Sequence, residues 1–267
     1  MKIDSLKLVY FSPTGTTKKV AHSIIKGLDI KPAILYDITK PQIRENITIK
    51  TGKEELLIVA VPVYMGRVPA IISKYLHRIK ANKTPVICIV VYGNRTYACA
   101  LLELQDILSG TGCIPVASGA FIGEHSFSDK EFPIAESRPD SSDLQIAENL
   151  GKKVKDKLHS IHAVEEILKN EVPGNYPYGG VTELWSVDFI AVSDKCTKKG
   201  TCAEVCPTGA INTEDTSIID KEKCISCCAC IKSCPENART MKESRVKDAA
   251  IRLNKLFREP KIPEVFY

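Results

Sequence analysis

Apolar runs alternate with amphipathic stretches through the first 170 or so residues. Leu6–Phe11 has a strand pattern and opens directly into Ser12-Pro-Thr-Gly-Thr-Thr17. Val20, Ala21, Ile24, Ile25 and Leu28 then recur at helical spacing. Ala33–Tyr36 predicts a second strand. Leu56–Tyr64 and Pro85–Tyr92 are continuous apolar runs, the pattern of strands buried on both faces of a parallel sheet. Helices are expected from about Pro69 to Ile79 and from Thr96 to Leu108. Cys113–Phe121 supplies a fifth strand, and a long helix is expected from Ser142 to about Leu168. This alternation predicts the α/β class: a doubly wound, five-stranded parallel sheet with helices on both faces.

The pattern then breaks. Val172–Gly180 is rich in proline, glycine and tyrosine and reads as a linker. From there to Val192 no period is evident, and Trp185, the single tryptophan, is expected to pack between domains. Met241–Phe257 is again amphipathic, with Ala249, Ala250, Leu253 and Leu256 on one face and a stop near Pro260. The expected division is residues 1–170, a linker over 171–193, a small cysteine-rich domain over 194–240, and a C-terminal helix and tail over 241–267.

Composition narrows the class. With 267 residues and 44% hydrophobic content, the chain has room for one ordinary domain and a small one. No run reaches the ~18–20 apolar residues of a membrane span. The N-terminus carries no charged-then-apolar leader, so a cytoplasmic location is expected. Eleven cysteines in such a chain point to metal ligation rather than disulfides. The net charge of +5 is mild, and no nucleic-acid or membrane motif is present. The basic tail (Lys242 to Lys261) reads as an exposed helix face, with an acidic partner as the alternative.

Eight of the cysteines fall between Cys196 and Pro235. One run reads Cys224-x2-Cys227-x2-Cys230-x3-Cys234-Pro235, the ligand spacing of a bacterial-type iron–sulfur site. A shift of 28 residues lays Cys196, Cys202, Cys206 and Pro207 onto Cys224, Cys230, Cys234 and Pro235, and puts Lys199 opposite Cys227. Structural zinc sites use two short cysteine pairs well separated in sequence. Four thiolates in one tight loop, duplicated, favour iron–sulfur. Cys228 follows Cys227 directly and is expected beside a cluster rather than on it. Cys88, Cys99 and Cys113 have no mutual spacing and read as small core residues.

The turn after the first strand offers free amides at a helix N-terminus and hydroxyls from Ser12, Thr14, Thr16 and Thr17 around Gly15, an anion site. It lacks the Walker lysine, so ATP and GTP are not indicated. A plain capping turn is the alternative. Ser12-x-Thr14-Gly15-x-Thr17 in this element order resembles the flavodoxins. The resemblance implies strand order 2-1-3-4-5 with FMN at the switch point. It also implies that the loops after strands three and four flank the ring: Pro62, Val63, Tyr64, Met65 and Gly66, then Tyr92, Gly93, Asn94, Arg95 and Tyr97. Strand-end packing is the alternative for the tyrosines. His125, with Glu124, ends the fifth strand and either covers the flavin or sits in a surface loop.

The cysteine module resembles the bacterial two-cluster ferredoxins, in which the fourth cysteine of each run serves the other cluster. The resemblance implies a [4Fe–4S] cluster on Cys206, Cys224, Cys227 and Cys230. A second cluster would lie on Cys196, Cys202 and Cys234, with Lys199 at the missing position. That second site can hold [3Fe–4S], hold [4Fe–4S] with a non-thiolate ligand, or be lost. Together the halves resemble the flavodoxin–ferredoxin fusion proteins of anaerobic bacteria and archaea. The resemblance implies a soluble electron carrier serving a partner redox protein, within one chain or across a homodimer. A flavin reductase of a quinone, disulfide or oxygen species is the alternative, with His125, Glu124, Tyr97 or Arg95 moving protons.

Overall fold

The computed structural model describes residues 1–181 and 186–267, and Trp185 lies outside them. The N-terminal elements are β1 (Ser5–Tyr10), α1 (Thr16–Leu28), β2 (Ala33–Asp37), α2 (Pro41–Asn46), β3 (Lys50–Thr51), β4 (Glu55–Pro62), α3 (Ala70–Leu76), β5 (Lys80–Ala81), β6 (Thr84–Tyr92), α4 (Ala100–Gly110), β7 (Cys113–Ile122) and α5 (Ser141–Ser160). Then come β8 (Ile190–Val192), α6 (Thr201–Glu204), α7 (Ala229–Lys232), β9 (Arg239–Met241), α8 (Arg245–Leu256) and β10 (Glu264–Phe266). The central sheet runs β10-β7-β6-β4-β1-β2. All its pairings are parallel except β10 on β7.

Both faces of this sheet are covered, which is why β4 and β6 read as unbroken apolar runs. α1 and α5 bury Val20, Ile24, Leu150 and Val154 on one face. α3 and α4 bury Ile72, Leu76, Leu101 and Leu104 on the other. Cys88, Cys99 and Cys113 are buried as small core residues. The α1–α5 crossing is close enough to exclude a side chain. A Cβ on Gly151 would lie 2.2 Å from the Ile24 carbonyl oxygen, and one on Gly27 would lie 1.9 Å from that of Glu148. α5 starts on a reciprocal Asp140–Asp143 cap. It stops at Ser160, short of the expected Leu168. Ile161 is extended there, and the turn after it carries Val164 and Ile167 into the sheet core.

The C-terminal tail is the second departure from expectation. Residues 264–266 return to the main sheet as its antiparallel edge strand, so the sheet has six strands. α8 is not simply an exposed face, because Ala250 and Leu253 pack with Ile134, Phe127 and Phe257. Polar contacts hold the tail across the sheet's end. Asn94 Nδ2 donates to the Phe257 and Glu259 carbonyls at 2.8 and 3.0 Å, Lys261 Nζ donates to the Arg95 carbonyl at 2.7 Å, and the Tyr97 hydroxyl donates to Glu264 at 2.9 Å.

The cysteine-rich segment folds as two copies of one turn. Positive φ recurs at Lys198 and Ser226, at Gly200 and Cys228, and at Gly209 and Asn237, each pair 28 residues apart. Gly200 and Cys228 are the N-caps of α6 and α7. Cys206 Sγ accepts the Ala210 amide and Cys234 Sγ accepts the Ala238 amide, both at 3.3 Å. Ile211 bridges Ile219, and Arg239 pairs with Val192 in the β8–β9 ladder. The repeat read from cysteine spacing is therefore a repeat of backbone conformation as well.

Candidate functional site

A cavity of ≈ 350 Å³ opens at the carboxyl ends of β1, β4 and β6. This is the switch point of the sheet, where β1 has β2 on one side and β4 on the other. Its floor is the Ser12–Thr17 turn. Gly15 takes φ 88° as N-cap of α1, and its amide donates to the Ser12 carbonyl at 3.2 Å. The Ser12 hydroxyl accepts the Lys18 amide at 3.0 Å, and the Ser12 amide donates to Thr39 Oγ1 at 2.7 Å. The amides of Thr14, Thr16 and Thr17 bond to no described group, and all three residues line the cavity. Unpaired amides at the positive end of a helix fit a phosphate.

The ring-level walls come from the two expected loops. Tyr64 and Arg67 close a tight turn through mutual backbone bonds of 3.0 Å, with Met65 and Gly66 at positive φ. Arg67 and the Val68 amide are held by the buried Glu103 carboxylate, with Arg67 Nε 2.8 Å and Nη2 2.9 Å from it. Pro62, Val63 and Tyr92 line the cavity. So does Gly93, which is required because a Cβ there would lie 2.2 Å from the His125 ring. Arg95 also reaches the cavity, whereas Asn94 and Tyr97 do not line it. Those two side chains turn outward to fasten the tail, as described above.

His125 lines the cavity, and its Nδ1 accepts the Phe127 amide at 3.0 Å, which leaves the proton on Nε2. Burial, and secondarily the Lys232 ammonium, pushes its pKa down to about 4. Lys232 is itself held by Glu124 at 2.6 Å and by the Ser128 carbonyl at 2.9 Å. A histidine kept neutral in the fold contributes full stability above its unfolded value of 6.5. That contribution is lost as pH falls from there toward about 4. The wild type should therefore lose stability over this window more steeply than a His125→Gln variant, as read from urea midpoints across pH. Equal slopes would mean that the folded ring protonates freely.

The remaining walls were not expected from sequence. Ala249, Arg252 and Leu253 of α8 close one side, and Ile225 and Ser226 of the second cysteine run close another. The Ser226 hydroxyl is buried and bonds to no described group, a donor suited to a ring-edge acceptor. Burial, then the nearby Cys227 and Cys228, pushes the Tyr64 phenol well above its usual range, and Tyr64 lines the cavity on the side of the cysteine module. Arg44 adds a second tie, with Nη2 2.8 Å from the Pro207 carbonyl.

Two smaller cavities lie in the module itself. Cys206, Cys224, Cys227 and Cys230 line one, with Cys228 and Ile225 in its wall. Cys196, Cys202 and Cys234 line the other, with Lys199, Glu236 and Arg239. Each run thus lends its last cysteine to the other's cavity. Among the described residues, no three His, Cys, Asp or Glu side chains converge on one metal-ion position. Thiols spread around a cavity fit a multi-iron cluster better than a tetrahedral zinc ion. Lys199 Nζ pairs with Glu236 Oε1 at 2.5 Å, and that bond raises its pKa. The lysine is held as an exposed cation, which disfavours a neutral amine ligand.

Residues 217–240 match the 4Fe-4S binding domain family. The sheet order β7-β6-β4-β1-β2 is that of the flavodoxin-like fold, and the matched residues contain the second cysteine run. An iron-sulfur protein of the Frd operon of Proteus vulgaris is 38% identical over 78 residues, covering 29% of this chain and 47% of that protein. The thiosulfate reductase electron transfer protein PhsB of Salmonella typhi is 38% identical over 58 residues, covering 21% and 30%. The chain spans less than half the length of these curated relatives. A flavodoxin of Streptococcus pneumoniae TIGR4 aligns over 57% of this chain and 99% of its own, at 15% identity and TM-score 0.40. An archaeal flavodoxin aligns over 58% and 99%, at 17% and 0.39. No helix among the described residues is long and apolar enough to cross a membrane.

Proposed function

We propose that this chain is an electron carrier that relays electrons between two iron–sulfur clusters and FMN, in the service of a partner redox protein in a reducing cytoplasm. Its working parts are an FMN-binding domain over residues 1–170, a connecting segment over 171–193, a two-cluster domain over 194–240, and a C-terminal helix and tail over 241–267. The carrying observation is a shared wall: Ile225 lines both the large cavity and that of Cys206, Cys224, Cys227 and Cys230. The cluster beside the flavin is therefore the four-thiolate one. Bound FMN supplies a two-electron centre that exchanges electrons singly with the clusters.

The chain's own residues have defined tasks in this reading. The turn at Ser12, Thr14, Gly15, Thr16 and Thr17 holds the phosphate. Tyr64 and Tyr92 flank the ring, and His125 offers a fixed Nε2–H donor. The wall built by α8, Ile225 and Ser226 sets the cysteine module directly against the cavity, which favours a carrier over a reductase of small acceptors. The two cavities share the Ile225 side chain as a wall, which supports transfer within the chain. Anaerobic purification should yield FMN and iron together, with absorbance that bleaches on reduction. Saturable turnover of a quinone or disulfide would contradict the carrier assignment.

At the second site, the exposed and paired Lys199 supports a three-thiolate cluster, [3Fe–4S]. A Lys199→Cys variant should gain about one iron atom per chain, and the oxidised [3Fe–4S] EPR signal should vanish. A wild type without that signal would contradict this assignment.

A further inference from the structure

Arg239 is a deeply buried charged residue with an unmet donor. It is 2% exposed, and its Nη2 donates to the Thr216 carbonyl. Its Nη1 is buried without a hydrogen-bond partner among the described residues. It lines the cavity of Cys196, Cys202 and Cys234, where the carboxylate of Glu236 is already taken by Lys199. A guanidinium does not give up its proton, so it cannot escape burial by neutralising itself. A buried cation without an anion is strongly unfavourable. The fold therefore calls for negative charge in this cavity.

The internal repeat sharpens this point. The position equivalent to Arg239 in the other half is Ile211, 28 residues earlier, and Ile211 lines the four-thiolate cavity. Lys199 stands opposite Cys227 in the same way, and Glu236 opposite Thr208. The second site has thus lost a thiolate and gained three cations: Lys198, opposite Ser226, and Lys199 pair with Asp215 at 3.8 Å and Glu236 at 2.5 Å, while Arg239 has no carboxylate partner among the described residues. A buried arginine exists at the deficient site and an isoleucine at the complete one.

Resting on the two-cluster reading above, we propose that Arg239 is the built-in counter-charge of a cluster on Cys196, Cys202 and Cys234, directing its free N–H groups at the cluster's sulfur shell. The site is occupied, not vestigial. Positive charge and hydrogen bonds at the sulfurs stabilise the reduced form, so this cluster accepts an electron before its four-thiolate neighbour. Arg239 acts as a positioning residue, setting potential and occupancy without ligating iron.

The test uses whole, anaerobically purified protein with iron and FMN counts and an EPR-monitored redox titration. The wild type should hold more than about four iron atoms per chain, with the second cluster reduced first. Arg239→Gln removes the charge and shortens the side chain while leaving an amide donor in the cavity. It should lower the second cluster's midpoint or empty that site, leaving the four-thiolate cluster and FMN in place. Arg239→Lys should restore occupancy and most of the midpoint. A wild type carrying only the four-thiolate cluster, an Arg239→Gln variant with both iron and midpoint unmoved, or equal iron loss in both variants would each overturn the proposal. Failure of FMN to bind would instead overturn the relay, leaving Arg239's role standing.

Discussion

Replacing Cys206 by alanine should damage the cluster of the other run and spare that of its own. Cys206 lies in the first cysteine run, yet it lines the cavity of Cys224, Cys227 and Cys230. Loss of its thiolate should cost that cluster between about one and four iron atoms. The Cys196 site should stay intact. Cys234→Ala should do the reverse, since Cys234 lines the cavity of Cys196 and Cys202. Because the Cys206 and Cys234 sulfurs accept equivalent amide bonds, the two variants carry similar structural penalties and can be compared directly. Iron analysis with EPR of each cluster decides the matter. Loss of the cluster of the cysteine's own run in both variants would contradict the crossed arrangement.

The second large effect lies far from the cofactors. Gly151→Ala should destabilise the fold by about 3 kcal/mol, although alanine is the better helix former. The added methyl would meet the Ile24 carbonyl oxygen at 2.2 Å, and backbone cannot move aside without parting α1 from α5. Gly110→Ala, at the exposed end of α4 with nothing within 4 Å of the new Cβ, should be neutral or stabilise by about 0.4–1 kcal/mol. Thermal melting by far-UV circular dichroism compares the two. A Gly151→Ala variant melting with the wild type would mean that the helices pack further apart. Separation of α1 from α5 would also disturb the Ser12–Thr17 turn that begins α1, so weaker FMN binding should accompany the lower midpoint.

Much of this architecture was legible in the sequence because it rests on local signals. Strands buried on both faces must be apolar throughout, and Leu56–Val61 and Val86–Tyr92 are. The phosphate turn is read from hydroxyls and a glycine between a strand and a helix. The two cysteine cavities are read from spacing, since cluster ligands must come from one tight loop and one distant residue. What escaped was long-range. Nothing near Asn94 or Tyr97 reveals that their partners are Phe257, Glu259 and Glu264, more than 160 positions away. The tail's basic residues resemble any solvated face until β10 pairs with β7 and draws α8 over the cavity. Ser226 and Ile225 were hidden between two ligand cysteines, where the spacing draws the eye to the thiols. Arg239 alone carried an available signal: aligning the two halves sets it against Ile211.

Electrons should reach FMN through the four-thiolate cluster of the same chain. Anaerobic stopped-flow with a reduced ferredoxin as donor follows cluster and flavin bleaching in one experiment. Cluster bleaching should come first, and FMN reduction should follow as a phase whose rate does not change with the concentration of this protein. That second phase should be lost in a Cys227→Ser variant that still binds FMN. Flavin reduction at an undiminished rate in that variant would contradict the account.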